Sequence, residues 1–156
     1  MNLAKYIDHT ILKSDVTSQQ IVQLCKEAQE NNFYAVCVNS SYVALCFHEL
    51  KSSPVKIASV VGFPLGVCDT ATKAFETALA VKNGATEIDM VIHVGALKEK
   101  KYDYVQNDIA EVVKAAAGNK VKVILETALL TDDEKKMACE LSLKAKAHFV
   151  KTCTGF

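Results

Sequence analysis

Four charged residues lie within or directly after short apolar runs, where an ionised side chain is costly to bury unless it is paired. They are Asp8, Asp89, Lys122 and Lys151. If a fold brought them together, the two acids and two lysines could neutralise one another and shift one another's pKa values. The sequence therefore predicts a buried polar cluster that could carry chemistry.

The chemistry that such a cluster favours is covalent. A lysine that is desolvated beside another cation has a depressed pKa and can attack an aldehyde or ketone to form a Schiff base. The protonated imine is an electron sink, so a neighbouring carbon–carbon bond can break or form, and a carboxylate with an ordered water can move the protons. We expect a class I aldolase, with Lys151 as nucleophile, Lys122 as charged neighbour and Asp89 as acid and base.

Each residue taken alone also has a simpler interpretation. Lys122 follows Lys120 and could lie at the start of an edge strand, and Asp8 could be an acid in an N-terminal turn. Lys151 could be a solvated strand end. Asp89 is harder to explain in this way, because apolar residues flank it on both sides.

Short runs typical of strands alternate with longer helical patterns along the chain. The predicted strands are Tyr6–Thr10, Phe33–Val38, Lys56–Val61, Thr86–Ile92, Val121–Glu126 and Phe149–Thr152. The predicted helices begin at the capping-box patterns Thr17–Gln20 and Thr131–Glu134 or cover Tyr42–Leu50, Thr70–Lys82 and the stretch from Val105 to Ala116. Alternation of this kind predicts parallel strands joined by helical crossovers.

Two architectures fit this alternation: an open doubly wound sheet and a (β/α)8 barrel. A dinucleotide-binding sheet would have a glycine-rich turn after its first strand, but Ile11–Ser14 contains no glycine. The strands recur at roughly the thirty-residue pitch of a barrel unit. We therefore favour the TIM-barrel class of α/β folds, as one domain over residues 1–156 with about six of the eight strands.

The composition excludes several classes of partner. Lys and Arg together number 18 and equal Asp and Glu, so nothing indicates nucleic acid or an acidic membrane. No apolar run approaches the roughly 18 residues of a membrane span, and the N-terminus lacks a signal-peptide pattern, so we expect a cytoplasmic location. Six cysteines and four scattered histidines show no metal-site spacing, so we expect reduced thiols and no metal.

Seven segments, in order along the whole chain, resemble the deoxyribose-phosphate aldolase family. They are Ile7–Thr10, Val36–Asn39, Val60–Gly66, Lys73–Thr77, Gly84–Ile92, Val121–Thr127 and Phe149–Phe156. The resemblance implies a TIM barrel without metal or cofactor. It also implies a reversible aldol cleavage of 2-deoxy-D-ribose 5-phosphate to acetaldehyde and D-glyceraldehyde 3-phosphate, so the partners are a small phosphosugar and aldehydes.

The same resemblance assigns roles to particular residues. It implies that Lys151 is the Schiff-base lysine and that Asp89 donates and accepts protons. The supporting residues of the pocket are then Lys122, Asp8, Thr10, Cys37, Thr152 and Thr154. Two positions depart from the family pattern: Cys153 replaces a serine, which we expect to be mild, and His93 replaces an asparagine, which we expect at the surface.

The family continues beyond the position of Phe156 with a phosphate-binding segment, two more strands and a second catalytic lysine. We therefore expect the domain to be incomplete at its C-terminal end, with exposed edges on its first and sixth strands. An alternative to an active aldolase is an inactive fragment or pseudoenzyme that folds by pairing these edges as a homo-oligomer. A different Schiff-base aldolase of the same fold is a third hypothesis.

Overall fold

The computed structural model describes residues 2–156, which form one parallel sheet flanked by helices. The strands are β1 (Asp8–Thr10), β2 (Ala35–Val38), β3 (Lys56–Val61), β4 (Glu87–Val91), β5 (Lys120–Ile124) and β6 (Phe149–Lys151). The helices are α1 (Ser18–Glu30), α2 (Val43–Glu49), α3 (Thr70–Lys82), α4 (Val94–Lys98), α5 (Tyr102–Ala115) and α6 (Asp132–Lys144). No helix within residues 2–156 combines the length and apolar character needed to cross a membrane.

The strand order follows the chain order. Each strand pairs in parallel with the next one, giving β1-β2-β3-β4-β5-β6. A doubly wound sheet would instead reverse its order at a switch point, so the topology is that of the TIM barrel, as the sequence predicted. In the described residues, β1 pairs only with β2 and β6 only with β5.

The sheet is strongly curled. The Lys122 ammonium on β5 lies 2.7 Å from Oδ2 of Asp8 on β1. In a flat sheet, strands four places apart would be separated by about 19 Å. This contact therefore requires β1 and β5 to face each other across a concave surface, and the strand side chains alternate between that surface and the helices.

The four central strands, β2 to β5, are buried on both faces. The large cluster on the convex face joins strand residues such as Val36, Ile88 and Val123 to the helices. A small cluster on the concave face comprises Cys37, Ala58 and Val60, with Leu12 and Phe63 packed against it. Burial on both faces explains why the strand segments are continuously apolar rather than alternating.

Local signals fix the helix starts, and both predicted capping boxes are present. Thr17 caps α1 through Gln20, and Thr131 caps α6 through Glu134. The predicted bounds of α3 and β3 match the structure. The short helix α4 was not predicted, because five residues are too few for a helical period to be visible.

A fully buried ion pair fastens two helices to the sheet. Lys73 Nζ on α3 lies 2.5 Å from Oδ2 of Asp108 on α5, and neither side chain is exposed to solvent. The same ammonium donates a 3.0 Å hydrogen bond to the carbonyl of Val91, the last residue of β4. Nearby, Gly66 has φ +71°, and a Cβ there would clash with the Ile92 carbonyl oxygen. These close contacts fix the carboxyl end of β4, the strand that carries Asp89.

Candidate active site

A short ion pair on the concave face joins Lys151 to Asp89. Asp89 lies in the middle of β4 with no exposed side-chain area, and Lys151 is the last residue of β6 with a side chain 34% exposed. Lys151 Nζ donates a hydrogen bond of 2.6 Å to Asp89 Oδ2. The structure thus places the predicted nucleophile beside the predicted acid and base, and leaves the lysine accessible to solvent.

Lys122 lies at the centre of the cluster. It is opposite Asp89 in the β4–β5 register. Its ammonium donates to Asp8 Oδ2 at 2.7 Å and lies 2.7 Å from Glu87 Oε2 and 3.2 Å from Asp89 Oδ1. The four residues predicted from the sequence are therefore brought together, and Lys122 is not a solvated edge residue.

Glu87 is part of this cluster, and the sequence reasoning did not identify it. Its side chain is only 2% exposed, and it accepts a 2.5 Å hydrogen bond from the Tyr34 hydroxyl. Lys120 Nζ lies 3.5 Å from the same oxygen, Oε1. One signal was available: Glu87 precedes Asp89 by two positions, so both side chains point to the same face of the strand.

The charge balance of the cluster raises the pKa of both central lysines. For Lys122, burial acts to lower the pKa, but the carboxylates of Asp89, Asp8 and Glu87 outweigh it and the pKa is raised. For Lys151, burial again acts to lower the pKa, and the charge and hydrogen bond of Asp89 raise it overall. The depressed lysine pKa expected from the sequence is therefore wrong for this arrangement, because three carboxylates surround two lysines.

Two other groups of the cluster have shifted pKa values. Burial alone would raise the pKa of Glu87, but the close Lys122 ammonium and the hydrogen bond from Tyr34 lower it overall. Burial, and then the charge of Asp89, raises the pKa of the Cys37 thiol to about 12. At neutral pH, Glu87 is therefore an anion, and Cys37 is a neutral thiol on the concave face.

Two buried carboxylate oxygens lack a well-directed hydrogen bond within residues 2–156: Glu87 Oε2 and Asp89 Oδ1. Both lie close to the Lys122 ammonium, whose aligned hydrogen bond goes to Asp8. The positive charge of Lys122 stabilises these two oxygens because it is close to them, without an aligned hydrogen bond to either. Asp89 thus uses Oδ2 for Lys151 and keeps acceptor capacity on Oδ1.

The tail that follows Lys151 is held by a residue that sequence reasoning placed inside a strand. Glu126 lies beyond the end of β5 in the left-handed region, with φ +56°. Its Oε2 accepts hydrogen bonds from the backbone N–H and the hydroxyl of Thr154, at 3.1 and 2.5 Å. The Thr127 N–H donates to the Thr152 carbonyl at 2.8 Å. Glu126 therefore sets the direction of the segment after Lys151.

The remaining predicted residues lie around the cluster and make no hydrogen bond to its charged side-chain groups. The Thr10 hydroxyl donates to the Asp8 carbonyl at 2.7 Å, and the Thr152 hydroxyl donates to Cys153 Sγ at 3.6 Å. Cys153 is exposed. His93 is half-buried rather than a surface residue, and its Nδ1 accepts from the Ala96 N–H and caps α4.

Two clefts lie on this part of the molecule, and one of them is lined by residues of the cluster. One, of about 420 Å³, lies between β1 and β6 and is lined by Asp8, Glu87, Lys122 and Lys151 among others. Another, of about 430 Å³, lies at the carboxyl ends of β3 to β6 beside the Glu126–Thr154 contact and is largely apolar. Among the described residues, no group of three His, Cys, Asp or Glu side chains is arranged to hold a metal ion.

Comparisons with known proteins identify the family of the chain. The model of the DeoC/LacD family aldolases matches residues 2–156. A deoxyribose-phosphate aldolase from Bdellovibrio bacteriovorus is 58% identical over 156 residues, which are all of this chain and 71% of the relative.

Two solved structures have the same fold. One, from Coccidioides immitis and assigned provisionally to the same enzyme, superposes with a TM-score of 0.98 at 44% identity, over 99% of this chain and 61% of that one. The tetrameric deoxyribose phosphate aldolase of Aeropyrum pernix superposes with a TM-score of 0.91 at 33% identity, over 98% of this chain and 64% of that one. With a family model matched over 2–156 and this level of identity, the chain belongs to the DeoC/LacD family of aldolases.

Proposed function

We propose that the chain carries the Schiff-base centre of a deoxyribose-phosphate aldolase, with Lys151 as nucleophile and Asp89 as proton carrier. The observation that carries the proposal is the 2.6 Å contact between Lys151 Nζ and Asp89 Oδ2 on the concave face. The curated relatives bear this enzyme name. The chain spans 71% of those relatives and 61% of the Coccidioides structure, so the complete reaction is part of the proposal.

The resting lysine is protonated, so the first step is a proton transfer. Asp89 accepts a proton from Lys151 directly, because the two groups already share a hydrogen bond. The neutral amine then adds to the aldehyde carbon of open-chain 2-deoxyribose 5-phosphate. Loss of water from the carbinolamine gives the iminium ion, and protonated Asp89 supplies the proton that the leaving hydroxyl needs.

Carbon–carbon cleavage uses the same pair. Removal of the proton from the C3 hydroxyl by Asp89, through a water, breaks the C2–C3 bond and releases glyceraldehyde 3-phosphate. The bonding electrons pass to the iminium nitrogen and leave an enamine on Lys151. Protonation of the enamine carbon by Asp89 restores the iminium ion, and hydrolysis then releases acetaldehyde and the free lysine.

The supporting residues have roles that follow from their positions. Lys122 balances the charge of Asp89, and Asp8 anchors Lys122. Cys37, a neutral thiol, and Thr10 line the concave side near the strand ends. Thr152 and Thr154 lie one and three positions after Lys151. Because the Thr154 hydroxyl donates its proton to Glu126, this hydroxyl can only accept a hydrogen bond from a substrate.

Trapping of the imine tests the proposal. The chain is incubated with acetaldehyde and cyanoborohydride, and each lysine peptide is analysed by mass spectrometry for addition of an ethyl group. We expect Lys151 to react faster than exposed lysines such as Lys136, and Lys151→Met to abolish that fast adduct. A folded chain in which Lys151 reacts no faster than Lys136 would contradict the proposed centre.

We further propose that the chain self-associates and resides in the cytoplasm. The Aeropyrum pernix relative is described as a tetramer, and exposed apolar side chains such as Phe75 and Leu79 line one face of α3. Light scattering coupled to size exclusion tests the first part, and a monomer at high concentration would refute it.

A further inference from the structure

The buried carboxylate of Glu87 has no role in the steps above, yet it adds a third negative charge to a cluster of two lysines. It lies one layer below Asp89, on the same strand and the same face. Burying an ion in this position is costly unless it is paired and hydrogen-bonded. The Tyr34 hydroxyl and the Lys122 ammonium hold it from two sides.

Lys122 has three hydrogens to donate and three carboxylates around it. Its aligned hydrogen bond goes to Asp8, Glu87 Oε2 lies at 2.7 Å, and Asp89 Oδ1 is the most distant of the three at 3.2 Å. Glu87 and Asp8 thus draw the ammonium away from Asp89. Without Glu87, the nearest uncompensated acceptor for Lys122 would be Asp89 Oδ1.

We propose that Glu87 is a positioning residue. It keeps the Lys122 ammonium at a distance from Asp89, so that Asp89 stays hydrogen-bonded to Lys151. The inference deepens the proposed function, since it concerns the same lysine and the same proton carrier. When Glu87 loses its charge, two effects act on Lys151 in the same direction. One negative charge leaves the cluster, and Lys122 competes with Lys151 for Asp89.

Both effects favour the neutral form of Lys151. Two charged groups face Lys151: Asp89 on β4 and Lys122 on β5. The thiol of Cys37 on β2 also faces it and is neutral. Lys122 in turn faces Asp8, Glu87 and Asp89. Removing one carboxylate from this set leaves two lysines with two acids, so no buried charge is orphaned and Glu87→Gln is expected to fold.

Competitive labelling of lysines tests this inference without any turnover. Trace acetic anhydride labels neutral amines, and peptide mass spectrometry gives the relative reactivity of each lysine from pH 6 to pH 10. In Glu87→Gln, we expect labelling of Lys151 at pH 8 to rise about three- to tenfold, which corresponds to about half to one pH unit. Glu87→Asp, which keeps the charge, should stay near wild type.

Three controls make the result decisive. Glu140→Gln removes an exposed carboxylate and should leave Lys151 labelling unchanged. Glu87→Met removes the charge with an apolar side chain of similar length and should give the same rise as Glu87→Gln. Tyr34→Phe removes a hydrogen bond of Glu87 but keeps its charge. If Lys151 labelling rose as much in this variant as in Glu87→Gln, the rise would indicate loss of structure and overturn the inference.

An unchanged or lower Lys151 reactivity in Glu87→Gln would also overturn it. Because labelling reports the charge state and not catalysis, a chain that forms no Schiff base still gives a clear answer. Failure of the imine-trapping experiment and failure of this one are therefore separate outcomes.

Discussion

Replacing Lys122 with methionine should reverse the sign of the pH dependence contributed by Glu87. In the native cluster the pKa of Glu87 is lowered, so its pairing stabilises the fold fully above the unfolded pKa of 4.5 and is lost as pH falls through the folded pKa. Without Lys122, burial dominates and the folded pKa rises above the unfolded one. The fold then binds more protons than the unfolded chain, so stability rises as pH falls.

The stability lost in Lys122→Met follows from the burial of its partner Glu87. Breaking a buried ion pair by removing one partner costs about 3–5 kcal/mol. The lower end, about 3 kcal/mol, is expected here, because Lys120 Nζ remains 3.5 Å from Glu87 Oε1 and Tyr34 still donates to it. This is a large part of the ~5–15 kcal/mol that stabilises a typical domain.

Urea unfolding followed by circular dichroism, at pH 7.5 and pH 5.5, measures the loss of stability and its dependence on pH. We expect the cost of Lys122→Met to be smaller at pH 5.5 by about 1 kcal/mol, and the double variant Lys122→Met/Glu87→Gln to recover most of the loss. The matched control is Lys114→Met, which removes an exposed pair with Glu111 at 3.6 Å and should cost about 0–1 kcal/mol at either pH. A loss below 1 kcal/mol, or an equal loss at both pH values, would refute the reasoning.

Three further predictions follow from single contacts. Because the pKa of Lys151 is raised, its labelling by acetic anhydride should rise about tenfold per pH unit between pH 6 and 9; a flat profile would contradict this. Glu126→Ala should cost about 1–3 kcal/mol in urea unfolding through its lost bonds to Thr154, whereas Glu126→Gly should cost less, because glycine removes the strain of φ +56°. Lys73→Met should lower the free energy of unfolding by about 3–5 kcal/mol, because it leaves the Asp108 carboxylate without an opposite charge in the interior. A variant as stable as the wild type in urea would contradict this.

Local information was enough to predict most of the fold. The capping boxes at Thr17 and Thr131 and the continuous apolar runs act within a few residues, so their signals survive in the sequence. The β/α alternation and the pitch of its units selected the barrel over the doubly wound sheet. The end of β5 was misplaced, because the left-handed turn at Glu126 is stabilised by Thr154, 28 positions further along the chain.

The site was predicted in part for the same reason. Asp89 and Lys151 were visible as charges in apolar strands. Lys122 and Asp8 were predicted as their neighbours, but Glu87 was not, since only the fold brings it to Tyr34, 53 positions away, and to Lys122. The expected direction of the lysine pKa shift was wrong because only the folded structure shows how many carboxylates surround each ammonium.

The sequence by itself determined the order of strands and helices, the family, and the presence of two acids and two lysines in segments that must be buried. These follow from residue type and spacing, which act locally. The tertiary structure alone decided that the sheet curls far enough to bring β1 to β5, that Glu87 joins the cluster, and that Lys151 rests as a cation on Asp89. Electrostatic energies depend on distances between groups remote in sequence, and only folding sets those distances.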